Sequence, residues 1–254
     1  MNLRCALWLL LAATTACRTV AQPPPRGPAA TLQSPAASAR AVSPSVPEAI
    51  RWVRGAAEHR ALFLQVYRAA TVRVEQEAAG RAVGSWAVVL DADETVIDNS
   101  TYQLERARLG LPFDAASWRA WTARREASPL PGARGFLERV RALGGRIAIV
   151  TNRAVSECSD TEAVFSTQQL AFDVMLCKPD AGPGDKNPRF EAVARGSTPA
   201  GLPPLEIVAF VGDNVNDFPG QGQSIRERDD QAFSAFGERF FVLPNPMYGS
   251  WERN

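Results

Sequence analysis

Asp91 and Asp93 stand two residues apart, directly after the apolar run Trp86 to Leu90. Three further polar groups follow apolar runs in the same way. Thr151-Asn152-Arg153 follows Arg146 to Val150, Gly212-Asp213-Asn214 with Asp217 follows Leu205 to Val211, and Lys178 and Lys186 follow Asp173 to Leu176. Taken singly, an Asp or Thr after a strand is an ordinary turn former or helix cap, and a loop Lys is ordinarily solvated. Taken as an ordered set they describe chemistry. Clustered carboxylates repel one another, and a hard cation relieves the repulsion. Mg2+ takes few carboxylates together with water and phosphate oxygens, which suits Asp91, the Asp93 main-chain carbonyl and Asp213, with Asp217 beside them. A lysine and the Thr151 hydroxyl would then donate to phosphoryl oxygens. Asp91 can attack phosphorus and form an aspartyl-phosphate. Asp93 can protonate the leaving oxygen and then deprotonate the water that hydrolyses the intermediate.

That chemistry needs elements that bring four chain segments to one rim. Ser45 can cap a helix with Pro47 near its first turn. Ile50, Val53, Ala57, Ala61 and Leu64 recur at helical spacing, so residues 48 to about 78 read as one long N-terminal helix. The apolar runs at 86–90, 146–150, 173–176, 205–211 and 239–243 read as strands. Residues 132–143, 156–170, 188–195 and 224–236 read as helices. Apolar strands alternating with helices predict an α/β fold, a Rossmann-like parallel sheet with helices on both faces. Ligands collect at the carboxyl ends of such strands. Residues 98–131 form a small helical insert after the first strand, where Trp118 and Trp121 are three residues apart.

Composition removes other classes. Lys and Arg number 28 against 27 Asp and Glu, a net charge of +1, which argues against a nucleic-acid polymer as partner. One histidine, His59, excludes a metal centre of several histidines. It lies far in sequence from the acidic groups and reads as structural.

Val88-Val89-Leu90-Asp91-Ala92-Asp93-Glu94-Thr95-Val96-Ile97-Asp98-Asn99-Ser100 resembles the first motif of the haloacid dehalogenase superfamily, in the form found in the class C acid phosphatases, the lipoprotein e type of bacterial 5'-nucleotidase. Val150-Thr151-Asn152-Arg153 resembles their second motif, Lys186-Asn187-Pro188-Arg189-Phe190 their lysine motif, and Gly212-Asp213-Asn214 with Asp217-Phe218 their fourth. The closing run Leu243 to Glu252 is also similar, and the likeness spans nearly all of residues 48–254. Ala92 departs from the Leu common between the two aspartates, and the loop before Lys186 is rich in Gly and Pro. The resemblance implies Mg2+ and hydrolysis of phosphomonoesters, nucleoside 5'-monophosphates among them. It assigns Asp91 and Asp93 to catalysis, and Thr151, Asn152 and Lys186, in preference to Lys178, to phosphate. Metal falls to Asp91, Asp93, Asp213 and Asp217. Trp118 and Tyr248 fall where relatives hold a base or aromatic ring, and homodimers are common among relatives. A non-catalytic binding lipoprotein and a phosphotransferase are the competing readings. Intact Asp91, Asp93, Asp213 and Asp217 favour catalysis over the first, and water access to the intermediate separates the second.

The termini and cysteines bear on location. Arg4 and the apolar run Ala6 to Ala13 read as a signal peptide, residues 1–16, too short for a transmembrane span. Thr14-Thr15-Ala16-Cys17 resembles a lipoprotein box with Thr in place of the usual Leu. Lipidation of Cys17, giving an outer membrane lipoprotein, is the favoured reading, and ordinary cleavage to a soluble periplasmic protein is the alternative. Residues 17–47 form a tether that holds seven of the 19 prolines. The phosphatase domain is 48–254. Cys158 and Cys177 read either as a disulfide or as two buried thiols.

Overall fold

The computed structural model describes residues 45–253. The signal segment, Cys17 and nearly all of the tether lie outside them. The sheet has five strands, β1 (Trp86–Leu90), β4 (Arg146–Ala154), β5 (Val174–Lys178), β6 (Glu206–Gly212) and β7 (Phe240–Val242), in the order β5-β4-β1-β6-β7. All pairings are parallel. Within β1 every residue is buried, as a strand covered on both faces requires. Alternation divides its side chains between two cores. Trp86, Val88 and Leu90 pack with helices α2 (Ala57–Ala78), α5 (Ala133–Ala142) and α6 (Cys158–Thr167) on one face. Ala87 and Val89 pack with Phe190 and Val193 of α7 (Asn187–Arg195) and with Phe218 on the other. The fold is the expected α/β sheet with helices on both faces.

The insert leaves through β2 (Ile97–Asp98) and returns through β3 (Ser128–Pro129), which pair antiparallel. Between them lie α3 (Ser100–Arg108) and α4 (Ala115–Arg124), the latter capped by the Asp114 carboxylate on the Ser117 N–H at 2.8 Å. Arg54 of α1 (Glu48–Gly55) donates to the hydroxyls of Ser100 and Thr101, at 2.9 and 3.1 Å.

Three local expectations are corrected. The N-terminal helix is two helices, α1 and α2. Gly55 ends the first and Ala56 is extended, at φ −83° and ψ 133°. The break resets the helical phase, so α2 buries His59, Phe63, Tyr67, Ala70 and Val74, while Ala57 and Ala61 face out. Ser45 caps nothing, and Pro47 takes the cap position of α1. Residues 224–236 are not a helix. Two 3-10 turns, Gln223–Glu227 and Asp230–Phe233, flank an extended Arg228. The charged run Arg226 to Asp230 has no apolar stripe to bury, and Phe236 instead packs on Phe218, ring centroids 5.1 Å apart. His59 is buried between the rings of Trp52 and Phe63, away from the acidic groups except for the influence of Asp98.

Candidate active site

β1 and β6 run side by side, with Leu90 opposite Val211, and the Asp91 N–H donates to the Val211 carbonyl at 3.0 Å. Asp91 and Asp213 therefore leave the sheet together. Asp217 returns to the same place because the 214–217 segment curls into a 3-10 turn, its carboxylate accepting the Asn214 N–H at 2.8 Å. Oxygens of Asp91, Asp213 and Asp217 lie within 4.8 Å of one another. Lys186 arrives at the start of α7 and donates to Asp91 Oδ1 and Asp217 Oδ1, each at 2.6 Å, while itself only 3% exposed. Lys178, the other candidate, has its ammonium near carbonyls of its own loop, Pro179 at 3.2 Å among them.

Three carboxylates around one ammonium leave an excess of buried negative charge. Burial pushes the Asp91 carboxyl up to about 7, against the pull of Lys186, with Asp217 and Asp93 adding to the rise. Asp213 rises well above the carboxylate range, first by burial and then through Asp217 and Asp91. Burial pulls the Lys186 ammonium down, but Asp217 and Asp91 outweigh it and hold it above its ordinary value. Hard oxygen donors and unbalanced negative charge are what a divalent cation satisfies, so these residues fit the expected metal. Asp213 is held ready for it by Thr95 Oγ1 at 3.3 Å and Asn245 Nδ2 at 2.8 Å.

Asp93 turns to the other side. Its Oδ1 accepts from Asn99 Nδ2 at 2.8 Å and from the Arg153 guanidinium at 2.8 and 2.9 Å. Thr151 is fully buried and its Oγ1 accepts the Arg153 N–H at 3.1 Å, which leaves its own hydrogen to donate. Asn152 is exposed and its side-chain oxygen accepts from Arg189 at 2.6 Å. Arg189 also donates to the Thr151 carbonyl and, at 3.2 Å, to that of Asp185, which ties the second-motif loop to the lysine loop. Trp118 stands over the Arg153 guanidinium, 5.3 Å from ring centroid to Cζ. Tyr248 is half-buried on a segment anchored at both ends, by Asn245 on Asp213 and by Ser250 Oγ on Asn214 Oδ1 at 2.7 Å.

Residues 32–251 match the family model for the HAD superfamily, subfamily IIIB (acid phosphatase). This chain is an acid phosphatase of that subfamily. The class C acid phosphatase from Bacillus anthracis is similar in structure, with a TM-score of 0.71 and 31% identity over 80% of this chain and 85% of that one. A second structure of that protein, with tungstate bound, matches with the same figures. The phosphatase is therefore a phosphoric monoester hydrolase.

Several residues of this phosphatase's site carried no assigned role in the sequence. Asn99, Arg153, Arg189 and Asn245 all lie inside those motifs, yet each has a partner in the site 32 to 60 residues away. Glu94 is buried, with a left-handed φ of 49°, and its Oε1 accepts the Asn99 N–H at 2.8 Å, closing the turn after the two aspartates. Tyr67 of α2 supports the same turn through a 2.8 Å bond to the Thr95 carbonyl. Cys158 and Cys177 form a disulfide between the start of α6 and the end of β5. Among the described residues no helix is long and apolar enough to cross a membrane.

Proposed function

We propose that this acid phosphatase hydrolyses small phosphomonoesters, nucleoside 5'-monophosphates among them, through an aspartyl-phosphate on Asp91. The observation that carries the reading is Lys186 Nζ lying 2.6 Å from both Asp91 and Asp217, with Asp213 completing the oxygen cluster. Mg2+ would be held by Asp91, Asp213 and the Asp93 carbonyl, with Asp217 beside them, and when bound it supplies positive charge for the phosphoryl oxygens. Lys186 orients Asp91 by its Oδ1 and adds a second positive charge. Thr151 and Asn152 donate to the remaining phosphoryl oxygens.

Asp91 attacks phosphorus, a new Asp91 O–P bond forms and the ester O–P bond breaks. Asp93 gives its proton to the departing ester oxygen. Asp93, now a carboxylate, takes a proton from water. The water oxygen bonds to phosphorus, the Asp91–phosphorus bond breaks, and inorganic phosphate leaves. Trp118 and Tyr248 would flank an aromatic leaving group by stacking, which tolerates many rings. The tungstate bound by the Bacillus anthracis enzyme is an oxyanion like the group handled here.

The decisive assay is phosphate release from p-nitrophenyl phosphate and nucleoside monophosphates, with and without chelator, for wild type and Asp91→Asn. Loss of activity in Asp91→Asn and on chelation is expected, and full activity in Asp91→Asn would remove the nucleophile. The reading further includes export by residues 1–16 and a lipid on Cys17. Incorporation of labelled palmitate that Cys17→Ser abolishes would support the anchor, and no incorporation into wild type would remove it. A homodimer is part of the same reading, and sedimentation of the mature protein as a monomer would remove it.

A further inference from the structure

The mechanism leaves unused one fully engaged buried cation, Arg153. It lies two residues past Thr151 on β4 and is 3% exposed. Its Nε and Nη2 donate to Asp93 Oδ1 at 2.9 and 2.8 Å, and Nε also reaches Asp93 Oδ2 at 3.2 Å. Nη2 donates to Asn99 Oδ1 at 3.0 Å and Nη1 to Thr161 Oγ1 of α6 at 3.2 Å. The guanidinium Cζ lies over the Trp118 ring, 5.3 Å from the centroid. Asn99 closes the frame from the other side. Its Nδ2 donates to Asp93 Oδ1 at 2.8 Å, and its Oδ1 accepts the Trp121 indole N–H at 2.8 Å.

Asp93 Oδ1 thus takes three donated hydrogen bonds, while Oδ2 has one contact, at 3.2 Å. An oxygen already accepting three donors has no room for a proton of its own. The proton must be exchanged through Oδ2. We propose that Arg153, with Asn99 beside it, is the positioning residue that fixes the Asp93 carboxyl so that Oδ2 delivers the proton to the leaving oxygen. The planar fork suits this better than an ammonium, because its donors hold a fixed geometry. When the ester O–P bond breaks, the Oδ2–H proton passes to the ester oxygen, and the resulting carboxylate stays paired to the guanidinium. Arg153 also touches α6 and the insert at once, so both elements hold it in place. The inference rests on the acid role given to Asp93 above.

The test uses leaving groups of different need. Nitrophenolate departs with little protonation, whereas the alkoxide of glycerol phosphate requires it. kcat/KM, which reports the step that breaks the ester bond, should be measured on both esters for Arg153→Lys. The expected result is a fall of roughly a hundredfold on glycerol phosphate and under about tenfold on p-nitrophenyl phosphate, in line with the size of general-acid effects. Inhibition by inorganic tungstate should stay within about twofold of wild type, because the phosphate cradle is intact. Equal losses on the two esters, or none, would overturn the role. Should Arg153→Lys fail to fold, Trp121→Phe, which removes the N–H on Asn99 and trims the buried ring but keeps an aromatic group there, carries the same comparison. A selective loss on the alkyl ester supports the role and an equal change on both overturns it. Wild type inactive on both esters would remove the phosphatase mechanism and this role with it, whereas equal losses in an active enzyme remove this role alone.

Discussion

Gly212 and Asp217 approach so closely that a Cβ built on the glycine would lie 2.3 Å from the Asp217 Cβ and 2.5 Å from its Oδ2. Bare backbone at the end of β6 is what lets the fourth-motif turn fold back over the strand. Gly212→Ala should therefore displace Asp217 and weaken magnesium binding by about ten- to a hundredfold, the range seen when a ligand's support is removed. Calorimetric titration with magnesium measures this, and unchanged affinity would show that Asp217 is not needed at the metal.

Lys186 is buried between two carboxylates. Removing one partner of a buried ion cluster costs about 3–5 kcal/mol, because the remaining charges are left unpaired. Lys186→Met should lose stability of that order at neutral pH in chelator, along with activity. Added magnesium should restore part of the stability and little of the activity. Chemical denaturation with and without the ion checks both, and wild-type stability in chelator would contradict the structural role of the ammonium.

The raised Asp91 carboxyl, at about 7 against an ordinary 3.8, sets a pH dependence for the metal-free protein. The folded state holds its proton more tightly than the unfolded chain does. This stabilising contribution is complete below about pH 4 and is lost as pH rises through about 7. Raised Asp213 acts in the same direction. Melting temperature in chelator should fall from acid to neutral pH. Magnesium should raise it more at pH 8 than at pH 5, since protons compete with the ion for the same oxygens. A magnesium effect that is flat across this range would contradict the cluster as its site.

Trp118 has its ring edge-on to Tyr102 at 5.1 Å and stands over Arg153. If a leaving-group ring stacks there, Trp118→Ala should raise KM for aromatic esters by roughly 5- to 150-fold, corresponding to about 1–3 kcal/mol per stacked ring. KM for glycerol phosphate should change little. Equal shifts on both substrates would reject the stacking role.

The Cys158–Cys177 bridge closes a separation of 19 residues. A loop of that size restricts the unfolded chain by about 3 kcal/mol. Cys158→Ser should lower the melting temperature by roughly 10 °C. A melt of the variant beside wild type, with and without reductant, tests it; an unchanged wild-type melt on full reduction would show that the crosslink contributes nothing.

Much of this enzyme was legible along the chain. Runs such as Trp86 to Leu90, apolar at every position, mark strands covered on both faces, and covered strands joined by helices must run parallel. The acids and Thr151 follow those runs directly, so their gathering at one rim follows from strand direction alone. What local pattern could not supply was contact between distant segments. Two lysines follow the third long strand, and only the path of the loop sends Lys186 into the acids while Lys178 braces its own turn. Cys158 and Cys177 were open to two readings until α6 and β5 brought them together. The break at Ala56 and the missing helix at 224–236 reflect the same division. Helical spacing reports which residues could share a face, whereas the surface available to bury that face belongs to the rest of the molecule. The fork of Arg153 on Asp93 joins residues 60 apart. Its geometry exists only once β1, β4 and the insert have closed around it, because a hydrogen bond is a matter of ångströms and direction and sequence distance specifies neither.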